Sequence, residues 1–168
     1  MGNWELAVFV VKILCSMYLE KFKKRFIESL VFHKKVAPCT EEEIDFLEQK
    51  LGMLLPIAYQ EFLLWGGHKA GGLMEGSDCF YRHLLDIQET ARLILEDDEF
   101  PRSLPEDAFV FFMHHDYQFL FFKTTRDDPE VYGYTEGQAQ RNFTRFYYKY
   151  TDFLMDYLET LAEFIKKK

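Results

Sequence analysis

The chain has 168 residues, enough for one domain with a substantial apolar core. Hydrophobic residues make up 48% and aromatics 18%, which excludes a disordered chain and predicts a phenylalanine-rich interior. With 28 acidic against 20 basic residues the net charge is −8, which argues against nucleic acid as a direct partner, because phosphate contact needs a basic surface. The same balance fits a basic macromolecular partner as well as it fits plain solubility. Cys15, Cys39 and Cys79 are an odd set without close spacing. Neither a disulfide framework nor a zinc knuckle is expected from them, and free thiols in a reducing cytoplasm are.

Leu6 to Leu19 is apolar apart from Lys12 and Ser16. Met1 to Glu5 holds no basic residue and no Ala-x-Ala follows, so a signal peptide is not expected. The run also falls short of the ~20 apolar residues of a membrane span. It reads as part of a helix reaching about Leu30, with Leu6, Phe9, Ile13, Met17, Phe22 and Phe26 on one side. The Lys21 to Arg25 cluster (KFKKR) is either a solvated helix face or a contact for acidic phospholipid. Met17 to Leu30 would make a first helix by itself, and whether Met1 to Ser16 is an extension stays open.

Thr40 to Gly67 predicts two short helices with a tight break. Thr40 and Glu43 form a capping box, and Glu41, Glu42 and Glu43 place negative charge at the positive end of the helix dipole. Ile44, Leu47 and Leu51 recur at helical spacing, and Gly52 stands where a left-handed cap needs it. Pro56 suits the first turn of the next helix, Tyr59, Phe62 and Leu63 form its stripe, and Gly66-Gly67 stops it. The series Ile44, Leu47-Glu48, Leu51-Gly52, Leu55-Pro56, Tyr59, Phe62-Leu63 and the closing glycines resembles the opening motif of the SUKH superfamily. That group includes a yeast cell-wall-assembly regulator and many bacterial immunity proteins of polymorphic toxin systems. Trp65-Gly66-Gly67-His68 departs from the pattern, since many members carry Asn or Asp beside the glycine. Leu104 through Gly137 also looks like the bacterial half of the superfamily, so the resemblance covers about residues 37 to 165.

Lys69 to Tyr81 reads as a glycine-rich surface loop ending in a short strand. Asp86 and Glu89 imitate a capping box opening a helix with Ile87, Ala91 and Ile94 inward, and this helix ends in Glu96-Asp97-Asp98-Glu99. Carboxylates there oppose the dipole. They mark either a helix giving way to a solvated loop or a docking patch for a cationic partner. Ala108 to His114 and Tyr117 to Lys123 predict paired strands, apolar on both faces and so central in a covered sheet. Their turn at His115-Asp116 lacks glycine, which a primed hairpin turn would strain. Val131 to Thr135 is the next strand, with Gly133 a bulge or close approach, and Asn142 to Tyr148 forms another. Thr151 is expected to cap a final helix bearing Phe153, Leu154, Leu158 and Ile165.

No metal or catalytic site is expected. His114 and His115 would point to opposite faces of a strand, and no helix orients Cys79 and His83. Nucleophile elbows, phosphate loops and HExxH are absent. The expected fold is α+β, a single antiparallel sheet with helices at both chain ends. Residues 1–36 are a helical extension and 37–168 the SUKH-like domain. The resemblance implies a non-enzymatic, cytoplasmic protein-binding module without cofactor. The leading role is an immunity protein that covers a basic toxin domain; the alternative is a regulatory scaffold of the cell-wall type. Candidate partner-binding residues are Glu96, Asp97, Asp98, Glu99, Asp127, Asp128 and Glu130, with Tyr132, Tyr134 and Trp65 as aromatic anchors. For the tyrosines, sheet packing is the competing role.

Overall fold

A computed structural model describes residues 18–29 and 34–167. The expected helical stripe through Leu6, Phe9, Ile13 and Met17, and Cys15, lie outside these residues. The described elements run α1 (Glu20–Glu28), β1 (Val36–Ala37), α2 (Glu41–Leu51), α3 (Ile57–Gly66), β2 (Lys69–Ala70), α4 (Asp86–Asp97), β3 (Ala108–His114), β4 (Gln118–Lys123), β5 (Val131–Thr135), β6 (Thr144–Tyr147) and α5 (Tyr150–Lys166). The fold is α+β, but the expected single sheet is corrected. A four-stranded antiparallel sheet in the order β3-β4-β5-β6 is accompanied by a two-stranded ribbon, β1-β2. Two-residue strands carry no alternation to read, so Lys69 opens a ribbon where a loop was expected.

The local signals of α2 hold. Thr40 Oγ1 accepts from the Glu43 N–H at 3.2 Å, the Glu43 carboxylate accepts from the Thr40 N–H at 2.9 Å, and Gly52 has φ 66°. Two other caps are corrected. Asp86 lies inside α4, whose N-cap Leu85 makes no side-chain cap, and Glu89 pairs with Arg92. Thr151 likewise lies inside α5, and its N–H and hydroxyl donate to Asp128 at 3.0 and 2.7 Å. The acceptor at that helix start comes from a distant loop, which local spacing does not reveal.

Both faces of the large sheet are buried. Phe119 and Phe121 share one face with Tyr134 and Tyr132, where Phe100 and Phe143 cover them. Phe122 lies on the other face beneath Tyr59 of α3 and Tyr150 of α5. A bulge between Val110 and Phe112 breaks the expected alternation, so Phe111 and Phe112 both meet Phe153. Gln88 occupies the edge there. Its amide oxygen accepts from Val110 N–H at 2.9 Å and its nitrogen donates to Val110 C=O at 2.6 Å. Asp78 pairs with Met113 through backbone bonds of 2.8 and 2.9 Å. The β3 edge is thereby closed to further strand pairing at both positions.

The hairpin turn has φ of 48° at His115 and 54° at Asp116, the left-handed pair that a primed turn demands. Gly133 is a close approach, since a Cβ there would lie 2.6 Å from Phe146 and 2.7 Å from Leu120. At the centre, the Tyr59 ring meets Phe62, Phe109, Phe111, Phe122 and Tyr150. Its hydroxyl is buried without a hydrogen-bond partner. An unpaired buried hydroxyl costs about 1–3 kcal/mol, so Tyr59→Phe is expected to leave Tm unchanged or raise it by a few degrees, roughly 2–4 °C per kcal/mol. A fall of several degrees in a thermal melt would show that the hydroxyl has a partner.

Candidate functional site

The acidic run at the end of α4 is shaped by one partly buried contact. The Tyr134 hydroxyl donates to the Asp98 carboxylate, which also accepts from the Gly137 N–H at 3.5 Å. Burial and the neighbouring carboxylate hold the Tyr134 phenol well above its ordinary range. Glu99 then takes a left-handed conformation, φ 48°, and Phe100 turns back to bond its N–H to Leu95 at 2.8 Å. Residues of this shape are strained when not glycine. The reversal buries Phe100 against Tyr134 and leaves Glu96, Asp97 and Glu99 exposed, with no ion-pair partner among the described residues. Glu136, also exposed, acts electrostatically on Tyr134 and so borders the same area. Glu96 and Glu99 line a cleft of about 460 Å³ whose floor includes Leu95, Phe100 and Leu104 and whose rim carries Arg92 and Arg102.

The other sequence candidates are at the opposite end of β5. Asp128 holds the start of α5, and the Asp127 carbonyl accepts from the Ala58 N–H at 2.9 Å. Glu130 pairs with Arg145 at 2.9 Å and accepts from the Tyr132 hydroxyl at 2.6 Å. The tyrosine hydrogen bond, followed by the arginine charges, lowers the Glu130 carboxyl below the usual range. At about 3.3 Å per residue, β5 alone separates the two acidic groups by roughly 13–17 Å, so they form no single patch. Tyr134 is buried and Tyr132 half-buried against Phe121. Trp65 lies under α1, edge-on to Phe22 at 5.2 Å and Phe26 at 4.9 Å.

Two further groupings escaped the sequence reading. Cys39, Glu43 and His68 converge at the start of α2, their ligating atoms within 4.8 Å of one another. Lys34, Lys35, Lys69 and Arg82, with His68 and His83, border a groove of about 680 Å³, although Lys34 pairs with Glu75 and His83 lies 3.4 Å from Asp78. The ribbon and backbone bonds from Cys39 N–H to Leu63 C=O and from Tyr81 N–H to Gly67 C=O bring these segments together. The buried thiols are poor nucleophiles: burial, aided by Glu43, pushes Cys39 up to about 12, and burial raises Cys79 further still. His115 sits in the turn with its ring 4.1 Å from His114, which corrects the expectation of opposite faces. His114 instead meets Ser77 at 3.1 Å.

The division between structural and exposed carboxylates is testable by thermal or urea unfolding. Asp98→Ala leaves the Tyr134 hydroxyl without its acceptor and is expected to cost about 1–3 kcal/mol. Asp97→Ala is expected within about 0.5 kcal/mol of the parent. Equal effects would contradict the assignment.

No curated protein matches the chain. The SMI1 / KNR4 family (SUKH-1) matches over residues 38–165, from the residue before Cys39 to the last turn of α5. The match spans the four-stranded sheet, its covering helices and the acidic end of α4. The chain therefore belongs to the SMI1 / KNR4 family (SUKH-1).

Proposed function

We propose that the protein is a non-enzymatic, protein-binding module that neutralises a toxin by covering its surface, acting in the cytoplasm. The observation that carries this reading is the exposed Glu96, Asp97 and Glu99 group, set at a helix end and without an ion-pair partner among the described residues. Placed at a helix C-terminus, these carboxylates gain nothing from the dipole. A cationic partner is the condition under which their placement becomes favourable. A toxin domain acting on nucleic acid has a basic surface of this kind. The net charge of −8 would steer its approach, and that steering weakens as salt screens it. The apolar floor at Leu95, Phe100 and Leu104 offers the desolvated centre that a rim of charge alone lacks.

Family membership supports a protein partner, and the raised thiols weigh against cysteine nucleophile chemistry. Among the described residues no helix is long and apolar enough to cross a membrane. Asp98, Asp128 and Glu130 act as internal supports in this reading, and Tyr134 and Trp65 as packing groups. Asp127, in the loop before β5, lies beyond the opposite end of that strand from this group. The alternative, a regulatory scaffold of the cell-wall type, would use the same exposed face without a toxin.

Co-expression with the toxin encoded beside its gene tests the proposal. The parent chain is expected to restore growth, and Glu96→Lys combined with Asp97→Lys is expected to lose at least about tenfold in association rate and most of the rescue. Asp127→Lys is expected to retain both. Rescue unaffected by the double reversal, in a protein that remains folded, would overturn this face as the contact.

A further inference from the structure

Three side chains with metal-ligating chemistry meet where the start of α2 abuts the β1-β2 ribbon. Cys39 Sγ, a Glu43 carboxylate oxygen and a His68 ring nitrogen all lie within 4.8 Å of one another. We propose that Cys39, Glu43 and His68 bind one zinc-like divalent cation, with a fourth position open to solvent. Sulfur, nitrogen and oxygen together suit a borderline cation, whereas magnesium and calcium prefer oxygen alone.

The convergence is held by backbone that does not depend on an ion. Cys39 N–H bonds to Leu63 C=O at 2.8 Å, and His68 N–H bonds to Ala37 C=O at 2.9 Å. Val36 pairs with Ala70 and Ala37 with Lys69, which fixes His68 beside the segment leading to Cys39. Gly67 makes room for the thiol, since a Cβ there would stand 2.4 Å from Cys39 Sγ. Thr40 supplies the outer support: its N–H holds Glu43 Oε2 at 2.9 Å and so orients the carboxylate. His68 Nε2 lies 3.0 Å from both Glu43 oxygens, a hydrogen bond that an ion would replace.

Tetrahedral zinc, with bonds of about 2.0–2.3 Å, sets its ligand atoms about 3.3–3.6 Å apart. The half-exposed His68 and Glu43 side chains can supply the contraction of roughly an ångström from the observed spread. Binding forms a Zn–S bond as the Cys39 thiol releases its proton to solvent; His68 Nε2 gives up the proton it shares with the Glu43 carboxylate in the metal-free state, and the ring coordinates through Nε2 as the neutral tautomer with its proton on Nδ1. Thiolate and carboxylate then balance the two positive charges. Such a site would pin α2 to the ribbon and leave an open coordination position beside His68 and Tyr81, whose rings lie 5.3 Å apart.

The test is a titration of the metal-stripped full chain with Co2+ as spectroscopic probe, followed by Zn2+. One Co2+ per chain is expected to give a thiolate charge-transfer band that Zn2+ displaces, with proton release and a raised Tm. Cys39→Ser should abolish the band, and Cys15→Ser should keep it. His68→Gln, at a side chain 38% exposed and so safe for folding, should weaken Zn2+ binding by at least about tenfold. No stoichiometric binding by the folded chain, a band that survives Cys39→Ser, or an unchanged affinity in His68→Gln would overturn the site. None of these outcomes bears on the acidic face, which the growth assay tests separately.

Discussion

The structure depends on a four-stranded sheet that is apolar on both faces. A sheet of this kind has no side to offer water, so cover must come from both directions. On one face α3 and α5 bring Tyr59, Tyr150 and Phe153 down onto Phe109, Phe111 and Phe122. On the other, Phe100 and Phe143 close over Phe121, Tyr132 and Tyr134. The second cover buries Phe119, Phe121 and Tyr134 as completely as the first buries Phe109 and Phe122. Phe100 reaches the sheet only because Glu99 turns the chain back, and the turn is anchored by the Asp98–Tyr134 contact. The exposed carboxylates on either side of Asp98 are thus positioned by the same turn that closes the core.

Two surfaces of the protein differ in the charged residues they gather. At the α4 end, carboxylates stay free of internal partners and border an apolar cleft. At the ribbon end, lysines and Arg82 gather around a groove, and Cys39, Glu43 and His68 meet below the start of α2. An overall acidic composition hid this second surface, because a net charge carries no information about where each sign lies. The grouping of Cys39, Glu43 and His68 was hidden for a related reason: His68 is 25 residues from Glu43 and is brought to it by tertiary backbone pairing.

What could be read from residues alone followed the range of the interaction. The box of Thr40 and Glu43 and the left-handed Gly52 involve neighbours in sequence, and they stand as expected. The strands were legible because runs such as Phe109 to Met113 and Phe119 to Phe122 leave no polar face. Helix starts failed where the partner was tertiary. Asp128 rather than Thr151 supplies the acceptor at α5, and α4 begins without a side-chain cap at all. The β3 bulge was illegible too, since its stability rests on Gln88 reaching Val110 from another element. At the candidate surface, spacing in the sequence did not reveal which carboxylates have partners in the fold. Asp98, Asp128 and Glu130 turned inward to structural partners, and the remaining acids fell at two ends of β5.

The most direct measurement is a hydrogen-exchange footprint of the chain with and without the toxin encoded beside its gene. The account predicts protection concentrated at the end of α4, from Leu95 to Phe100, and at the adjoining Glu136-Gly137 turn. Protection confined to the β1-β2 ribbon and its basic groove, with the end of α4 exchanging as in the free protein, would contradict it.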